Sequence, residues 1–506
     1  MFCKTKSFVL AGLECCQVEI EADRSGGLHT FTIVGLPDAA VRESKERVTS
    51  ALKNSGFNPP YHYGRITVSL APSNIRKSGC GLDLAIAVSI LQSTEQITVL
   101  KEKAIYIGEL SLDGTLRETT GILPIVIAAL QAGYKQIFVP KINFKEASLI
   151  KGIKVIPLKS LNDYVRYLKG CLKIKIPKNT NQHRPNVKYS PDLSDIKGQE
   201  KAKRALEIIA SGGHNLLFSG PPGTGKTFLA KALPSILPPL SFKEKLEITK
   251  IYSIAGILPQ DQPLINLRPF RSPHHSASSA ALVGGGSKIS PGEITLAHRG
   301  VLFLDEILEF PQKTLENLRQ PLEDNKICIS RASGSVEFPA NFILIAAMNP
   351  CPCGYFGDFS KECTCSKPAL LRYRQRMSGP IIDRIDLFLE INRIKFKKLK
   401  QVNDQKQTEI IRKKIKKTRE IQNQRFKDKK IFSNSEMDIK DIEKYANLGQ
   451  QSQSFIKKAV ESLNLSTRSY FRVLKVARTI ADLENSQNIK KDHIAEALQF
   501  RKTDWN

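Results

Sequence analysis

The sequence predicts an α/β protein of several domains: an N-terminal α/β domain, a central layer of mostly parallel strands covered on both faces, and a C-terminal domain of helices alone. Three observations carry this. Short β-rich runs alternate with helical patterns over the first part of the chain. Apolar runs bounded by turn signals and separated by helices fill the middle. From Ser433 onward helical periodicity continues with no strand run. A chain of 506 residues is too long for one hydrophobic core, so several domains are expected.

In the first domain, residues 1–172, the N-terminal segment has a short apolar run that meets acid at Glu14 and reads as a first strand, not as a leader peptide. FTIVGLP, RITVSLAP, AIYIGELSLDG and QIFVP read as strands; AAVRESKERVTSALKNSG and LDLAIAVSILQ read as helices. Residues 173–192 are polar, basic and interrupted by proline, the composition of a linker. Between 193 and 392, EKAKRALEIIASGG reads as a helix, while NLLFSG, GVLFLDE and FILIAAMNP read as buried parallel strands. The region 393–506 opens on a different composition: across 393–430 sixteen Lys and Arg face four acids, which predicts one or more basic helices ahead of the all-α domain.

Composition excludes several classes. Apolar residues make up 41% and charged residues 25%, and no stretch reaches the roughly 18 uncharged apolar residues of a membrane span, so a soluble protein with no membrane partner is expected. Ten cysteines without a secretory signal fit a reducing compartment, and the expected location is the cytoplasm. The formal charge of +28 attracts polyanions, with nucleic acid the leading partner class. The alternative is a Lys-rich bias spread over solvated faces.

The strongest motif is Gly220-Pro221-Pro222-Gly223-Thr224-Gly225-Lys226-Thr227, which fits G-x-x-x-x-G-K-[ST] between a predicted strand and a predicted helix. Glycines let backbone N–H groups curl around a phosphate, a lysine supplies charge to the β- and γ-phosphates, and the Thr227 hydroxyl can bind Mg²⁺. The strand before Asp305 and Glu306 delivers two carboxylates to its C-terminal end, where ligands of open α/β sheets gather. Asp305 there can hold Mg²⁺, and Glu306 can orient or deprotonate a water that attacks the γ-phosphate of ATP. The next strand ends at Asn349, which would lie beside Asp305 if the strands are neighbours. Arg384 sits in SGPIIDRID, and Arg468 opens a helix of the terminal domain; guanidinium groups stabilise charge that develops in phosphoryl transfer.

With these residues in place, the chain resembles the ComM/YifB family of magnesium-chelatase-like AAA+ proteins over nearly its whole length. The resemblance implies an AAA+ P-loop αβα core and a C-terminal all-α lid. It makes Lys226 and Thr227 the Walker A residues, Asp305 and Glu306 Walker B, Asn349 sensor 1, Arg384 a trans-acting arginine finger and Arg468 sensor 2. It also implies a homo-hexameric ring that hydrolyses ATP with Mg²⁺ and moves along single-stranded or branched DNA, driving branch migration in transformation and recombination. The alternative function is a chelatase-like or protein-remodelling ATPase acting on a protein partner.

Two inserts resemble the hairpins of the chelatase and replicative-helicase branch. One contains Gly284-Gly285-Gly286 and Lys288, the other Arg331; Lys288 and Arg331 are candidate DNA contacts, with a surface hairpin of solvated charge as the alternative. His274 and His275 are adjacent and do not converge well on one metal ion. Cys351, Cys353, Cys363 and Cys365 can supply a tetrahedral thiolate set for structural Zn²⁺; the alternative is reduced thiols in a Gly-rich loop. The N-terminal domain resembles the Lon protease domain, most clearly from Ile107 to Pro140. It departs from that family where Gly81 and Pro124 replace the nucleophilic serine and its lysine, so no proteolysis is expected, Ser78 and Cys80 lacking a positioned base.

Overall fold

The computed structural model describes residues 2–74, 77, 79, 81–100, 102–171, 190–286, 289–331, 334–358, 361–394, 405–429 and 431–501. Ser78, Cys80, Lys288 and residues 173–189 of the expected linker lie outside them, as does the side chain of Arg331. The chain forms two compact units. One takes in Met1–Arg184, Phe242–Ile265 and Ser330–Glu337; the other takes in Pro185–Ser241, Asn266–Ile329 and Phe338–Asn506.

In the first unit, β1 (Phe2–Ala11) and β2 (Glu14–Ser25) make a long antiparallel hairpin in register from Phe2 opposite Asp23 to Ala11 opposite Glu14. The N-terminus is thus a strand pair where sequence patterning indicated one strand. β2 pairs with β4 (Arg65–Ala71), and β4 takes β3 (Thr30–Val34) in parallel on its other edge. Helix α1 (Ala39–Asn54) starts where the Asp38 carboxylate accepts the Val41 N–H at 2.8 Å, a side-chain cap for an otherwise orphan donor. Helix α2 (Asp83–Ser93) is buried at every position, as a helix apolar on all sides must be. Its one charge, Asp83, is met by Arg47 at 2.8 Å and by the Leu110 N–H at 3.2 Å. A second sheet is parallel, with β6 (Gln136–Pro140) between β5 (Ala104–Tyr106) and β7 (Lys154–Leu158). Helix α3 (Ile122–Gln131) follows Gly121, whose N–H donates to the Ser253 carbonyl at 3.1 Å. That contact ties the helix Phe242–Ala255 into this unit.

The second unit is built on five parallel strands in the order β9 (Phe270–Arg271), β10 (Val301–Leu304), β11 (Ile343–Met348), β8 (Leu216–Ser219) and β12 (Leu387–Glu390). Its central strands are buried throughout, and their side chains divide by twos. Leu216, Phe218, Val301, Phe303, Ile345 and Ala347 enter one core with helix α4 (Glu200–Gly212), whereas Leu217, Leu302, Leu304, Leu344 and Ala346 enter another with Ile294, Leu315 and Ile381. Burial on both faces is why these strands read as continuous apolar runs. The strands Lys326–Arg331 and Gly334–Pro339 form a separate two-stranded hairpin.

Past residue 404 the described chain is helical: α6 (Gln405–Arg425), α7 (Ile439–Tyr445), α8 (Gln450–Ser462), α9 (Thr467–Leu483) and α10 (Lys491–Gln499). The basic helix α6 is not a uniformly solvated face. Arg412 pairs with Asp192 at 2.8 Å, Lys414 with Glu207 at 3.0 Å and Arg425 with Asp482 at 2.6 Å, and Arg419 donates to the Ala210 carbonyl at 3.1 Å. Part of the charge that marked this segment as a polyanion site is therefore engaged inside the chain. Lys413, Lys416 and Lys417 remain exposed. Among the described residues no helix is long and apolar enough to cross a membrane.

The sheet joins the C-terminal helices at buried Asp386, which precedes β12. Its carboxylate accepts the Asn215 N–H at 2.9 Å and pairs with Arg472 of α9, and the ring of buried His214 lies 3.6 Å away. Burial pushes the Asp386 carboxyl up, but Arg472, His214 and the Asn215 amide more than offset this and hold it well below the usual range. A depressed carboxyl contributes stability that is present above its unfolded value, about 3.9, and is lost as pH falls through its folded value. Asp386→Ala is expected to destabilise this unit by about 3–5 kcal/mol at neutral pH, because Arg472 is left without its partner. Urea unfolding at a series of pH values should show the gap from wild type narrowing below about pH 4.

Candidate functional site

The strands β8, β10 and β11 lie together in the parallel sheet, and the polar residues that follow each of them meet at its C-terminal edge. The loop after β8 begins at Gly220, where only glycine fits: a Cβ would stand 2.3 Å from the Ile391 carbonyl oxygen. Gly223 and Gly225 hold φ of 75° and 87°, left-handed values that let the loop curl. The Thr224 hydroxyl closes the turn by donating to the Pro221 carbonyl at 2.9 Å.

Helix α5 (Lys226–Ala232) opens directly after the loop. Lys226 is only 8% exposed, and its ammonium donates to the Gly220 carbonyl, to the Pro221 carbonyl at 3.2 Å and to Asn349 Oδ1 at 3.0 Å. Burial pushes the lysine down, and the charges of Asp305 and Glu306 pull it part of the way back. The Thr227 hydroxyl donates to Asp305 Oδ2 at 2.7 Å, and the Glu306 N–H donates to Asp305 Oδ1 at 3.0 Å. Glu306 sits at φ 50°, uncommon for a non-glycine residue and frequent at functional turns. Two hydrogen-bonded sets, Lys226 with Asn349 and Thr227 with Asp305 and Glu306, thus meet through the adjacent residues Lys226 and Thr227. A buried cation beside a turn of free-standing glycines can grip phosphate, and a hydroxyl paired with a carboxylate presents hard oxygen ligands for a divalent cation.

Arg384 and Arg468 lie apart from this cluster in their hydrogen bonding. Arg384 is 7% exposed; it pairs with Glu323 and donates to the Pro380 carbonyl at 2.6 Å. Arg468 is well exposed and lies 3.4 Å from the neighbouring Asp383. The Arg384 bond holds the Glu323 carboxyl below its ordinary value; burial opposes it, and the charges of Arg384, Arg468 and Arg319 add to it. One neighbour escaped sequence reasoning: the His275 ring stands 3.6 Å from Glu306 Oε2 and lies tilted against His274 with centroids 4.0 Å apart. No spacing signal links residues 275 and 306, because they lie in the loops that follow two different strands.

The four cysteines after Asn349 converge. Their sulfurs all lie within 4.8 Å of one another, with Cys351 to Cys353 at 3.3 Å, Cys353 to Cys363 at 3.6 Å and Cys363 to Cys351 at 3.7 Å. The Cys353 thiol is pushed down to about 6, chiefly by the backbone N–H of Tyr355. The set could hold a metal ion. Of the DNA-contact candidates, Lys288 is outside the described residues, and for Arg331 only the backbone, at the end of a hairpin strand, is described. In the N-terminal unit, Pro124 is buried in the first turn of α3, and a Cβ on Gly81 would stand 3.3 Å from the Thr119 methyl; neither position carries a nucleophile or a base.

A phosphate-binding loop, a strand-end Asp-Glu pair and a terminal helical region on a parallel sheet define the class of AAA+ proteins. The chain belongs to the ComM/YifB family of magnesium-chelatase-like AAA+ proteins. Three family models match: magnesium chelatase subunit ChlI over residues 192–399, subunit ChlI of Mg-chelatase over 20–143, and the ChlI C-terminal model over 405–501. The chain is 42% identical over 503 residues to competence protein ComM of Haemophilus influenzae, covering 97% of this chain and 95% of that protein. It is 41% identical over 495 residues to the uncharacterized protein YifB of Escherichia coli, covering 97% and 96%. A more distant match, 27% over 229 residues, is to the magnesium-chelatase 67 kDa subunit of Heliobacterium mobile, covering 39% and 34%. Membership of this family points to ATPase activity.

The contact at Gly220 gives a direct test. Gly220→Ala drives a methyl into the Ile391 carbonyl, so it is expected to cost about 1–3 kcal/mol of stability and to weaken nucleotide binding. Thermal unfolding and titration with a fluorescent ADP analogue measure the two effects.

Proposed function

We propose that the chain is a Mg²⁺-dependent ATPase that works as a homo-hexameric ring and translocates along single-stranded or branched DNA, promoting branch migration during recombination of incoming DNA. The observation that carries the ATPase reading is the hydrogen-bonded convergence of Lys226, Thr227, Asp305 and Asn349 on one sheet edge. The DNA reading rests on the +28 charge, on the exposed lysines of α6, and on similarity to a relative named a competence protein.

In this reading the backbone of residues 220–225 cradles the β-phosphate, and Lys226 leaves its carbonyl partners for the β- and γ-phosphates. Thr227 and Asp305 would hold Mg²⁺, which neutralises phosphate charge when bound. Glu306 accepts the proton of the attacking water, and Asn349 orients that water. Arg468 supports the same subunit's nucleotide, and Arg384 reaches the nucleotide of a neighbour, for which it must exchange Glu323 for phosphate. Lys288 and Arg331 are the residue types expected to contact DNA. The core is 193–392 and the lid is the helical part of 393–506. The domain 1–172 is a Lon-like module without peptidase activity, placed for partner binding or ring organisation.

The four thiols fit Zn²⁺. With Zn–S bonds of about 2.3 Å, a tetrahedral site has sulfur–sulfur edges of about 3.8 Å, close to the three distances between Cys351, Cys353 and Cys363. We assign the cluster to one structural zinc.

The inward ion pairs of α6 favour a second reading, a chelatase-like motor that remodels a protein partner. ATPase rates with and without single-stranded and branched DNA, across a salt titration, separate the two. The DNA motor predicts stimulation by DNA that fades steeply as salt rises. Neither stimulation nor binding at low salt would transfer the motor to a protein substrate.

A further inference from the structure

The zinc cluster is joined to the phosphate loop. One residue, Pro350, separates Asn349, whose amide oxygen accepts from Lys226, from Cys351, the one fully buried thiol of the four. The Cys351 carbonyl accepts the Gly354 N–H at 3.0 Å, which folds the chain back on itself with Gly354 at φ 87°. That turn lies on the loop: a Cβ on Gly354 would stand 2.9 Å from Pro222 Cδ. Farther along, Asp358 pairs with Arg393 at 3.1 Å, two residues past Ile391, whose carbonyl stands over Gly220. The cysteine segment therefore meets the nucleotide site at Asn349, at Pro222 and, through Arg393, at the chain that flanks Gly220.

Little else fixes this segment. It has no regular secondary structure between Pro350 and Ser366 among the described residues, so its shape depends on what its side chains bind. The Phe356 N–H points to Cys351 Sγ at 3.3 Å and the Cys353 N–H to Cys365 Sγ at 3.4 Å, which sets the backbone around the four sulfurs. A bound metal would lock the turn that Gly354 presents to Pro222; free thiols would leave it to the weak bonds among sulfurs.

We propose that the thiolate zinc site is a positioning element of the nucleotide site: metal held by Cys351, Cys353, Cys363 and Cys365 presses the Gly354 turn against Pro222 and keeps Asn349 on Lys226, and its loss loosens the grip on nucleotide. The proposal rests on the zinc reading given above. The route is mechanical, so it acts on nucleotide affinity even where no hydrolysis occurs.

The test uses the full-length chain and two independent readouts. Elemental analysis of protein purified without chelators should give about one zinc per chain. Absence of zinc would overturn the zinc reading itself. Zinc is then displaced with an organomercurial and a chelator, the thiols are regenerated under reducing conditions, and circular dichroism establishes that helix content is retained. Titration with a fluorescent ADP analogue, without hydrolysis, should show affinity about tenfold weaker in the stripped protein and restored when zinc is added back. Cys363→Ser with Cys365→Ser, distant in sequence from Asn349, should match the stripped protein and resist rescue by zinc. Stoichiometric zinc in the native protein with unchanged affinity after stripping would leave the metal site standing and overturn its coupling to the loop.

Discussion

The candidate site depends on one pairing, that of β8 with β11. These strands are far apart in sequence, yet Leu216 lies opposite Ile345 and Ser219 opposite Met348. That register delivers the loop after Ser219 and the amide of Asn349 to the same level of the sheet edge, where Lys226 bonds Asn349. The next pairing, Leu304 opposite Ala346, sets Asp305 within reach of Thr227. In a parallel sheet a slip of one residue would turn every side chain to the other face, exchanging the two apolar cores as well as displacing the polar ends. Packing therefore enforces the register from which the chemistry follows. The apolar runs and the polar residues that end them are two halves of one constraint.

That constraint explains what could be read in the sequence. The loop 220–227 is local, so its residue types, spacing and place between a strand and a helix were legible at once. The apolar strands ending in Asp305 and Asn349 were legible because burial on both faces leaves an unmistakable run. Their adjacency was conditional until the strand order was known. The long-range contacts were not legible. Nothing local says that His275 stands beside Glu306, that Glu323 pairs with Arg384, or that Arg412, Lys414 and Arg425 turn inward from a helix that looks uniformly basic. The same limit hid the grouping of Phe242–Ile265 with the N-terminal unit, since the helix Phe242–Ala255 carries little sequence sign of which surface it serves. The four cysteines were visible as a cluster. Their convergence needed the turn at Gly354, which a spacing pattern does not encode.

The arginine-finger role proposed for Arg384 belongs to an assembly of subunits. A guanidinium that stabilises charge in a neighbour's site has to be available at a subunit boundary, yet here it is nearly buried and neutralised by Glu323. The carboxylate of Glu323 is itself largely exposed, so the pair sits at a surface that another subunit could approach. Exchange of Glu323 for phosphate would keep the guanidinium paired throughout, avoiding the several kcal/mol that a bare buried charge costs. Arg468, exposed in the first turn of α9, reaches Asp383, the residue next to Arg384 in the turn that leads into β12.

In the proposed ATPase, Glu306 performs the proton transfer in a site whose phosphate grip is made by other residues. Glu306→Gln keeps the size and the backbone of that position and removes its basicity. Single-turnover hydrolysis of bound ATP, measured beside nucleotide affinity, separates grip from chemistry. The account predicts affinity within about threefold of wild type and hydrolysis slower by about a hundredfold or more. Hydrolysis at the wild-type rate would contradict it.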